Sequence, residues 1–373
     1  ELTRKIQVYY QQFGVARTVN RMWEKLSRKE TTTYQAWRWK HQLTPKELER
    51  QRTRNFAIRP SYAIVVPLYH TPKDFLEVMV KSVLNQSYTE WRLYLSEGSG
   101  PQSPLRRILE RYEKMDNRIT VIYNEQSLQI AENTNRALKQ VKEDYVVFMD
   151  HDDFIAPEAL YECTRVLNEK PDTEIIYTDE DKVSMNGKTF FQPHFKADFN
   201  IELLCSANYM CHLYVAKKEL LKEVGPLRSE YEGSQDYDLI LRCVEKTDKI
   251  VHIPKVLYHW RSHMDSTAGN PASKDYAYVS GQKAIEEYYR RCGIEAEVTR
   301  LTRGFYRTKY KLSSTPLVTI IILNRDHRED LERCIRSIEE KTEYPNLEYL
   351  IVENNSEEEE TFRYYKELQQ SYK

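Results

Sequence analysis

The densest chemistry in the chain is the run Asp150-His151-Asp152-Asp153, which follows the apolar segment Tyr145-Val146-Val147-Phe148-Met149. An apolar strand that ends in carboxylates sets acidic oxygens at the carboxyl edge of a sheet, where open α/β sheets bind ligands. Residues i and i+2 of an extended chain point the same way, so Asp150 and Asp152 can face one hard cation together. Mn2+ or Mg2+, held by few carboxylates and completed by phosphate oxygens and water, suits such a pair. The competing reading is a solvated acidic turn whose Asp caps the helix opened by Pro157. Asp236 is the second chemical candidate. It follows Gly233-Ser234-Gln235 at a helix start, which aims a side chain into a cleft, and it reads either as a general base or as an N-cap.

These groups need a frame. Tyr62–Pro67 reads as a buried strand, 72–85 as a helix with apolar Phe75, Val78, Met79 and Leu84, and Trp91–Leu95 as the next strand, ended by Glu97-Gly98-Ser99-Gly100. A helix (105–114), a strand (119–123), a helix (132–141) and the strand meeting Asp150 follow. Strand and helix alternating at this pace predict an α/β fold with a mixed, mainly parallel, doubly wound sheet flanked by helices. The second half continues with a helix (157–168), a strand (174–177) running into Thr178-Asp179-Glu180-Asp181-Lys182, a hairpin at Gly187, a strand (209–216), helices (217–224 and 237–245), an extended segment (251–260) and a long helix (275–292). Leu317–Leu323, the helix 328–340 and Glu348–Ser356 echo the pattern from Tyr62 to Ser99. The expected domains are therefore a basic helical extension (1–59), a main domain (60–312) and the truncated start of a second, similar module (313–373).

Length and composition set bounds. The chain has 373 residues, 40% hydrophobic, and a net charge of −1, so nothing global points to nucleic acid. The charge is uneven: residues 1–59 hold 14 Lys/Arg against 5 Asp/Glu, leaving the remainder near −10. Within 17–29, Val19, Met22, Trp23 and Leu26 alternate with Arg21, Lys25, Arg28 and Lys29 at helical spacing. That pattern is either a surface for peripheral contact with an anionic membrane or an ordinary solvated helix. The six cysteines show no C-x-x-C pair and read as reduced, which favours a cytoplasmic setting, with a peripheral place on the inner face of the plasma membrane as its membrane-bound form. No run of about 18 apolar residues and no signal peptide is visible. The start at Glu1 reads as a piece cut from a longer protein.

Several motifs occur in order: Val66-Pro67-Leu68-Tyr69, Glu97-Gly98-Ser99, Asn133-Thr134-Asn135, Asp150-His151-Asp152-Asp153, Thr178-Asp179-Glu180-Asp181-Lys182, Gly233-Ser234-Gln235-Asp236-Tyr237-Asp238 and Tyr258-His259-Trp260-Arg261-Ser262-His263. Over about residues 60–300 this series resembles the family-2 inverting glycosyltransferases of GT-A fold. The last three motifs look like the bacterial subgroup that builds cell-surface polysaccharides, often with tandem modules. The resemblance implies a nucleotide-diphosphate donor (UDP- or dTDP-sugar) and a hydroxyl acceptor on a growing saccharide, lipid-linked or free. It departs at His70, where the family usually has Asn, and at Glu97, where it usually has Asp.

The roles that follow are implied by that resemblance. Asp152 holds the metal, with Asp150 sharing it or facing the ribose, and His263 is a further ligand candidate. Pro67, Tyr69, Glu97 and Asn133 contact the donor nucleotide. Asp179, Glu180 and Asp181 contact the donor sugar, and Trp260 and Arg261 line the acceptor groove. Asp236 is the base, and one base opposite the leaving group implies a single inverting displacement, since a nucleophile route needs two close carboxylates. Two alternatives stand beside this. A sugar nucleotidyltransferase would want a Gly-rich, basic phosphate loop, which His70-Thr71-Pro72-Lys73 is not. A non-catalytic carbohydrate-binding or scaffolding module would tolerate loss of the acidic motifs, yet they are present.

Overall fold

A computed structural model describes residues 34–262 and 275–371. The expected basic helix at 17–29 and the ligand candidate His263 lie outside the described residues. The chain divides into two compact units, one ending at Lys309 and the other starting at Tyr310.

The first unit opens with two short helices, α1 (Tyr34–His41) and α2 (Pro45–Arg52). Thr44 caps α2: its hydroxyl accepts from the Glu47 N–H, and the Glu47 carboxylate accepts from the Thr44 N–H at 2.7 Å, so two otherwise orphaned donors are satisfied. Then come β1 (Tyr62–Leu68), α3 (Lys73–Leu84), β2 (Trp91–Glu97), α4 (Arg106–Met115), β3 (Ile119–Tyr123), α5 (Ile130–Leu138), β4 (Tyr145–Phe148), β5 (Phe154–Ile155) and α6 (Ala159–Glu169). The remainder is β6 (Ile175–Ser184), β7 (Phe190–His194), α7 (Ile201–Ser206), β8 (Tyr214–Lys217), α8 (Lys218–Val224), α9 (Gln235–Val244), β9 (Ile250–Ser262), α10 (Asp275–Arg291) and the hairpin β10 (Ala296–Thr302) and β11 (Phe305–Tyr310).

Among the described residues β1 to β9 form one sheet in the order β3-β2-β1-β4-β8-β6-β9-β5, with β7 on β6. β3, β2, β1 and β4 run parallel, β8 reverses, β6 and β9 resume the first direction, and β5 and β7 oppose their partners. The mixed, mainly parallel sheet is thus as expected. β1 shows why it is buried on both faces. Ile64, Val66 and Leu68 pack with Leu76, Met79 and Leu109 of α3 and α4, while Ala63 and Val65 share a core with Ala131 and Ala137 of α5 and with α7 to α10. Parallel strands covered by helices on both sides read as continuous apolar runs, which is how β1 reads.

Two boundaries differ from expectation. The strand expected at 209–216 begins only at Tyr214. Thr178 to Lys182 is not a loop beyond a strand but the middle of β6, paired with β9 through Ser184. Neighbouring β9 supplies the backbone partners that an acidic run in isolation would leave to water.

The second unit holds β12 (Val318–Asn324), α11 (Arg328–Lys341), β13 (Leu347–Glu353) and α12 (Glu359–Ser371), with the strands parallel. Leu331, Ile335 and Leu368 pack with Ile322, Tyr349 and Ile351. Its loops repeat those of the first unit. The Ser99 N–H donates to Glu97 and the Ser99 hydroxyl accepts from the His70 N–H at 2.8 Å. Likewise the Ser356 N–H donates to Glu353 and the Ser356 hydroxyl accepts from the Asp326 N–H at 2.8 Å.

Candidate functional site

The carboxyl ends of β1, β4 and β6 open on a cleft of about 1780 Å³. Asp150, Asp152 and Asp153 each offer a carboxylate oxygen within 4.8 Å of the others, a set that could hold a divalent ion. The three do not have equal roles. Asp153 is fully buried, its Oδ2 accepts from the Tyr258 hydroxyl at 2.6 Å, and its Oδ1 accepts from the Arg261 N–H at 2.7 Å. The residue is a clasp between the acidic loop and β9. Asp150 and Asp152 line the cleft and are the pair that fits a cation. Burial pushes the Asp153 carboxyl well above its usual range, and the charges of Asp152 and Asp150 push it further. Desolvation also raises Asp150; His212, 3.6 Å from it, opposes the shift, and Asp152 and Asp236 add to it. Three acids forced together in this way favour a bound cation.

Arg261 completes the clasp and does not reach the cleft. Its Nε donates to the Asp152 carbonyl at 2.6 Å, its Nη1 donates to the Met185 carbonyl at 2.8 Å, and its guanidinium lies 4.5 Å from the Phe75 ring centre, with the whole side chain buried. Trp260, one residue earlier, does line the cleft.

The two-residue alternation of β6 sorts the next motif. Glu180 and Lys182 line the cleft. Asp179 and Asp181 are buried on the opposite face: Asp179 Oδ1 meets His252 Nε2 at 2.8 Å and accepts from the Lys196 N–H, while Asp181 meets His259 Nδ1 at 2.6 Å and accepts from the Tyr34 hydroxyl at 2.6 Å. Of the three acids expected at the donor sugar, only Glu180 therefore faces the cavity. Glu180 Oε2 accepts from the buried Lys196 ammonium at 3.1 Å, and the same ammonium donates to the His212 carbonyl at 2.6 Å. Burial alone would raise the Glu180 carboxyl, but Lys196, His194 and His212 outweigh it and hold the group at about 2.

Asp236 forms the opposite wall. Ser234, not Asp236, occupies the N-cap of α9, so Asp236 sits in the first turn with its side chain at the cleft. Its Oδ2 accepts from the Asn208 amide at 2.9 Å. Gly233 makes the approach: φ is +85°, and a Cβ there would lie 2.7 Å from the Tyr276 ring and 2.8 Å from Ala277. The start of α10 thus packs directly on the turn that presents Asp236.

At the β1–β2 end, Pro67, Tyr69 and Asn133 line the cavity. Asn133 donates to the Leu68 carbonyl at 2.9 Å and accepts from Asn124 at 3.2 Å, so its amide fixes the end of β1. Glu97 is 1% exposed; Oε1 accepts from the Ser99 N–H at 2.7 Å and Oε2 has no hydrogen-bond partner among the described residues. Tyr258, His212, Lys196 and Asn208 were not singled out from the sequence. Alternation along β9 could have placed Tyr258 beside Trp260, but nothing local marks Lys196 or Asn208 as site residues. No helix among the described residues is long and apolar enough to cross a membrane.

Residues 63–224 match the Glycosyl transferase family 2 model. The chain is 38% identical over 316 residues to the uncharacterized protein y4gI of Sinorhizobium fredii, covering 84% of this chain and 35% of that protein. It is 34% identical over 304 residues to the O-antigen biosynthesis protein RfbC of Myxococcus xanthus, covering 82% of this chain and 24% of that one. The chain thus spans about a third or less of these relatives. The crystal structure of S. aureus TarS 1–349 in complex with UDP superposes with a TM-score of 0.49 at 19% identity, over 61% of this chain and 65% of that one. The acidic strand end and part of the cleft wall fall within the matched stretch, and residues 63–224 are a glycosyl transferase family 2 domain.

Proposed function

We propose that the chain moves a sugar from a UDP- or dTDP-linked donor to a hydroxyl of a growing, lipid-linked bacterial cell-surface polysaccharide, with inversion at the anomeric carbon. One observation carries the reading: the Asp150/Asp152 pair and Asp236 open on the same cavity from different elements. Asp150 and Asp152 would hold Mn2+ or Mg2+, a Lewis acid that offsets charge on the departing diphosphate. Asp236 takes the proton of the acceptor hydroxyl as its oxygen attacks the anomeric carbon. The bond from that carbon to the donor phosphate oxygen breaks, and the electron pair leaves with the diphosphate. Asn208 fixes the Asp236 carboxylate through Oδ2. The unpartnered Glu97 Oε2 supports a nucleotide at the β1–β2 end, because a buried acceptor without a donor is stabilised by a ligand N–H or O–H. Glu180 is the acid placed to meet donor-sugar hydroxyls. The name of the RfbC relative supports the polysaccharide product.

The domain reading is part of the proposal: residues 60–312 are the transferase, 313–373 are the opening elements of a second module, and 1–59 are a basic extension that meets the anionic inner face of the plasma membrane. Repetition of the Glu97–Ser99–His70 loop geometry by Glu353, Ser356 and Asp326 supports the second of these.

The test is a panel of nucleotide sugars screened for thermal stabilisation with and without Mn2+, followed by transfer with the stabilising donor and NMR of the new anomeric centre. Metal-dependent stabilisation and an inverted product are expected. Release of pyrophosphate, or no stabilisation by any nucleotide sugar, would overturn the reading.

A further inference from the structure

Lys182 has no place in the mechanism above, yet it faces the cleft. Its ammonium lies 5.5 Å from the Trp260 ring centre, and among the described residues no carboxylate lies within ion-pair distance of it. The acid beside it on β6, Glu180, is engaged by Lys196. A cleft cation steered by an aromatic face and left without a counter-ion is set to receive a negative charge from outside the chain.

The strand register says which charge. Lys182 pairs with Trp260 on one side of β9. On the other side Phe154 pairs with His259, and the Asp152 carbonyl, in the turn just before β5, accepts from the Arg261 side-chain Nε at 2.6 Å. Phe154 and Asp181 pair with the same residue, His259, from opposite sides, so the strand that follows the acidic turn and the strand that carries Lys182 flank β9, about 10 Å or two interstrand spacings apart. Lys182, Asp150 and Asp152 all line the one cleft, so a ligand lying across β9 from the acidic pair to the ammonium would carry its negative charge between them. The charge balance agrees. Asp150 and Asp152 together cancel a divalent ion, so the charge released when the sugar leaves needs a further cation.

Building on the donor reading above, we propose that Lys182, held in place by Trp260, is a catalytic residue that contacts the phosphate oxygens of the departing nucleoside diphosphate. It carries no proton transfer. As the bond from the anomeric carbon to the phosphate oxygen breaks, the electron pair stays on the diphosphate, and the ammonium offsets that charge in a partly desolvated site. Trp260 is then a positioning residue.

The experiment compares UDP with UMP, and dTDP with dTMP, by calorimetry on the wild type, Lys182→Met and Lys182→Arg, with and without Mn2+. Lys182→Met is expected to weaken diphosphate binding by about tenfold, as for loss of one charge-assisted hydrogen bond, leave the monophosphates within about twofold, and lower kcat at unchanged acceptor KM. Lys182→Arg should restore most of the diphosphate affinity. A wild type that binds neither diphosphate sinks the donor reading and this inference together. A wild type that binds them, with Lys182→Met binding equally well, sinks only the Lys182 role. A change confined to acceptor KM also overturns it, by assigning the ammonium to an anionic acceptor.

Discussion

The Tyr258 hydroxyl sits between two members of the acidic loop: it donates to Asp153 Oδ2 at 2.6 Å and accepts from the Asp150 N–H at 3.2 Å. β9 thereby sets the height of the loop, and the labour is divided. Asp153 ties the loop down, while Asp150 and Asp152 face the cavity. Asp152→Ala should weaken Mn2+-dependent nucleotide binding by about tenfold or more and change the melting temperature little, since a half-buried cleft residue is removed without touching the core. Tyr258→Phe should do the reverse in emphasis, lowering stability by about 1–3 kcal/mol because a buried carboxylate loses its donor. Calorimetry and urea denaturation on the two variants check this. If Asp152→Ala unfolds the chain and Tyr258→Phe does not, the division is wrong.

Asp236 lies in the first turn of α9 rather than at its cap, so its removal should be a catalytic lesion more than a structural one. For Asp236→Asn we expect kcat to fall by about 10²–10⁴-fold, the range for loss of a general base. Nucleotide-sugar affinity should hold within about twofold, because the donor is gripped elsewhere. Asn208→Ala should lower kcat by a smaller factor, having lost only the group that orients Oδ2. Near-normal turnover by Asp236→Asn, measured by product formation over time, would move the base to another residue.

The sheet was legible because β1 and β4 are continuous apolar runs, as strands covered by helices on both faces read. The acidic strand end and the Gly233-Ser234-Gln235-Asp236 turn were legible for the same local reason: residue type and position coincide. The sequence did not sort Asp179, Glu180 and Asp181, all three expected at the donor sugar, by the face each takes. They lie inside a strand, and period-two alternation sends Glu180 to the cleft and its two neighbours to the back. Arg261 misled in a similar way, since an arginine beside Trp260 reads as a groove residue until its three buried contacts are seen. Lys196 and Asn208 carry no local signal at all. They meet Glu180 and Asp236 across 16 and 28 residues of chain, and only tertiary packing brings them there.

Glu180 gives a pH signature. Its carboxyl is held at about 2 in the folded chain against an ordinary 4.5. A depressed acid stabilises the fold fully above the unfolded value and loses that contribution as pH falls from 4.5 toward 2. The difference corresponds to about 3 kcal/mol. Glu180→Gln abolishes this linkage and leaves the Lys196 ammonium buried without its partner. The variant should be less stable at pH 7, and its stability should fall less steeply than the wild type's between pH 4.5 and 2. Urea denaturation at pH 7, 4.5 and 3 gives both slopes. Parallel slopes would show that Glu180 is not held ionised by Lys196.

Asp181 should behave as an anchor for the chain that precedes the sheet. Its Oδ2 accepts from Tyr34 of α1 at 2.6 Å, with Arg38 of the same helix 3.6 Å away, and α1 also reaches β7 through Gln35, whose amide donates to the Phe190 carbonyl at 2.6 Å. Trp37 packs edge-on against Phe195, a residue of the cleft wall, at 5.1 Å. Tyr34→Phe should destabilise the chain by about 1–2 kcal/mol through the lost hydrogen bond, and Asp181→Asn by more, since His259 and Arg38 then face a neutral amide. Donor KM should stay within about twofold in both, because neither side chain enters the cleft. A large rise in donor KM for Asp181→Asn, with stability intact, would instead place Asp181 against the donor sugar and require β6 to turn its other face to the cavity when substrate binds.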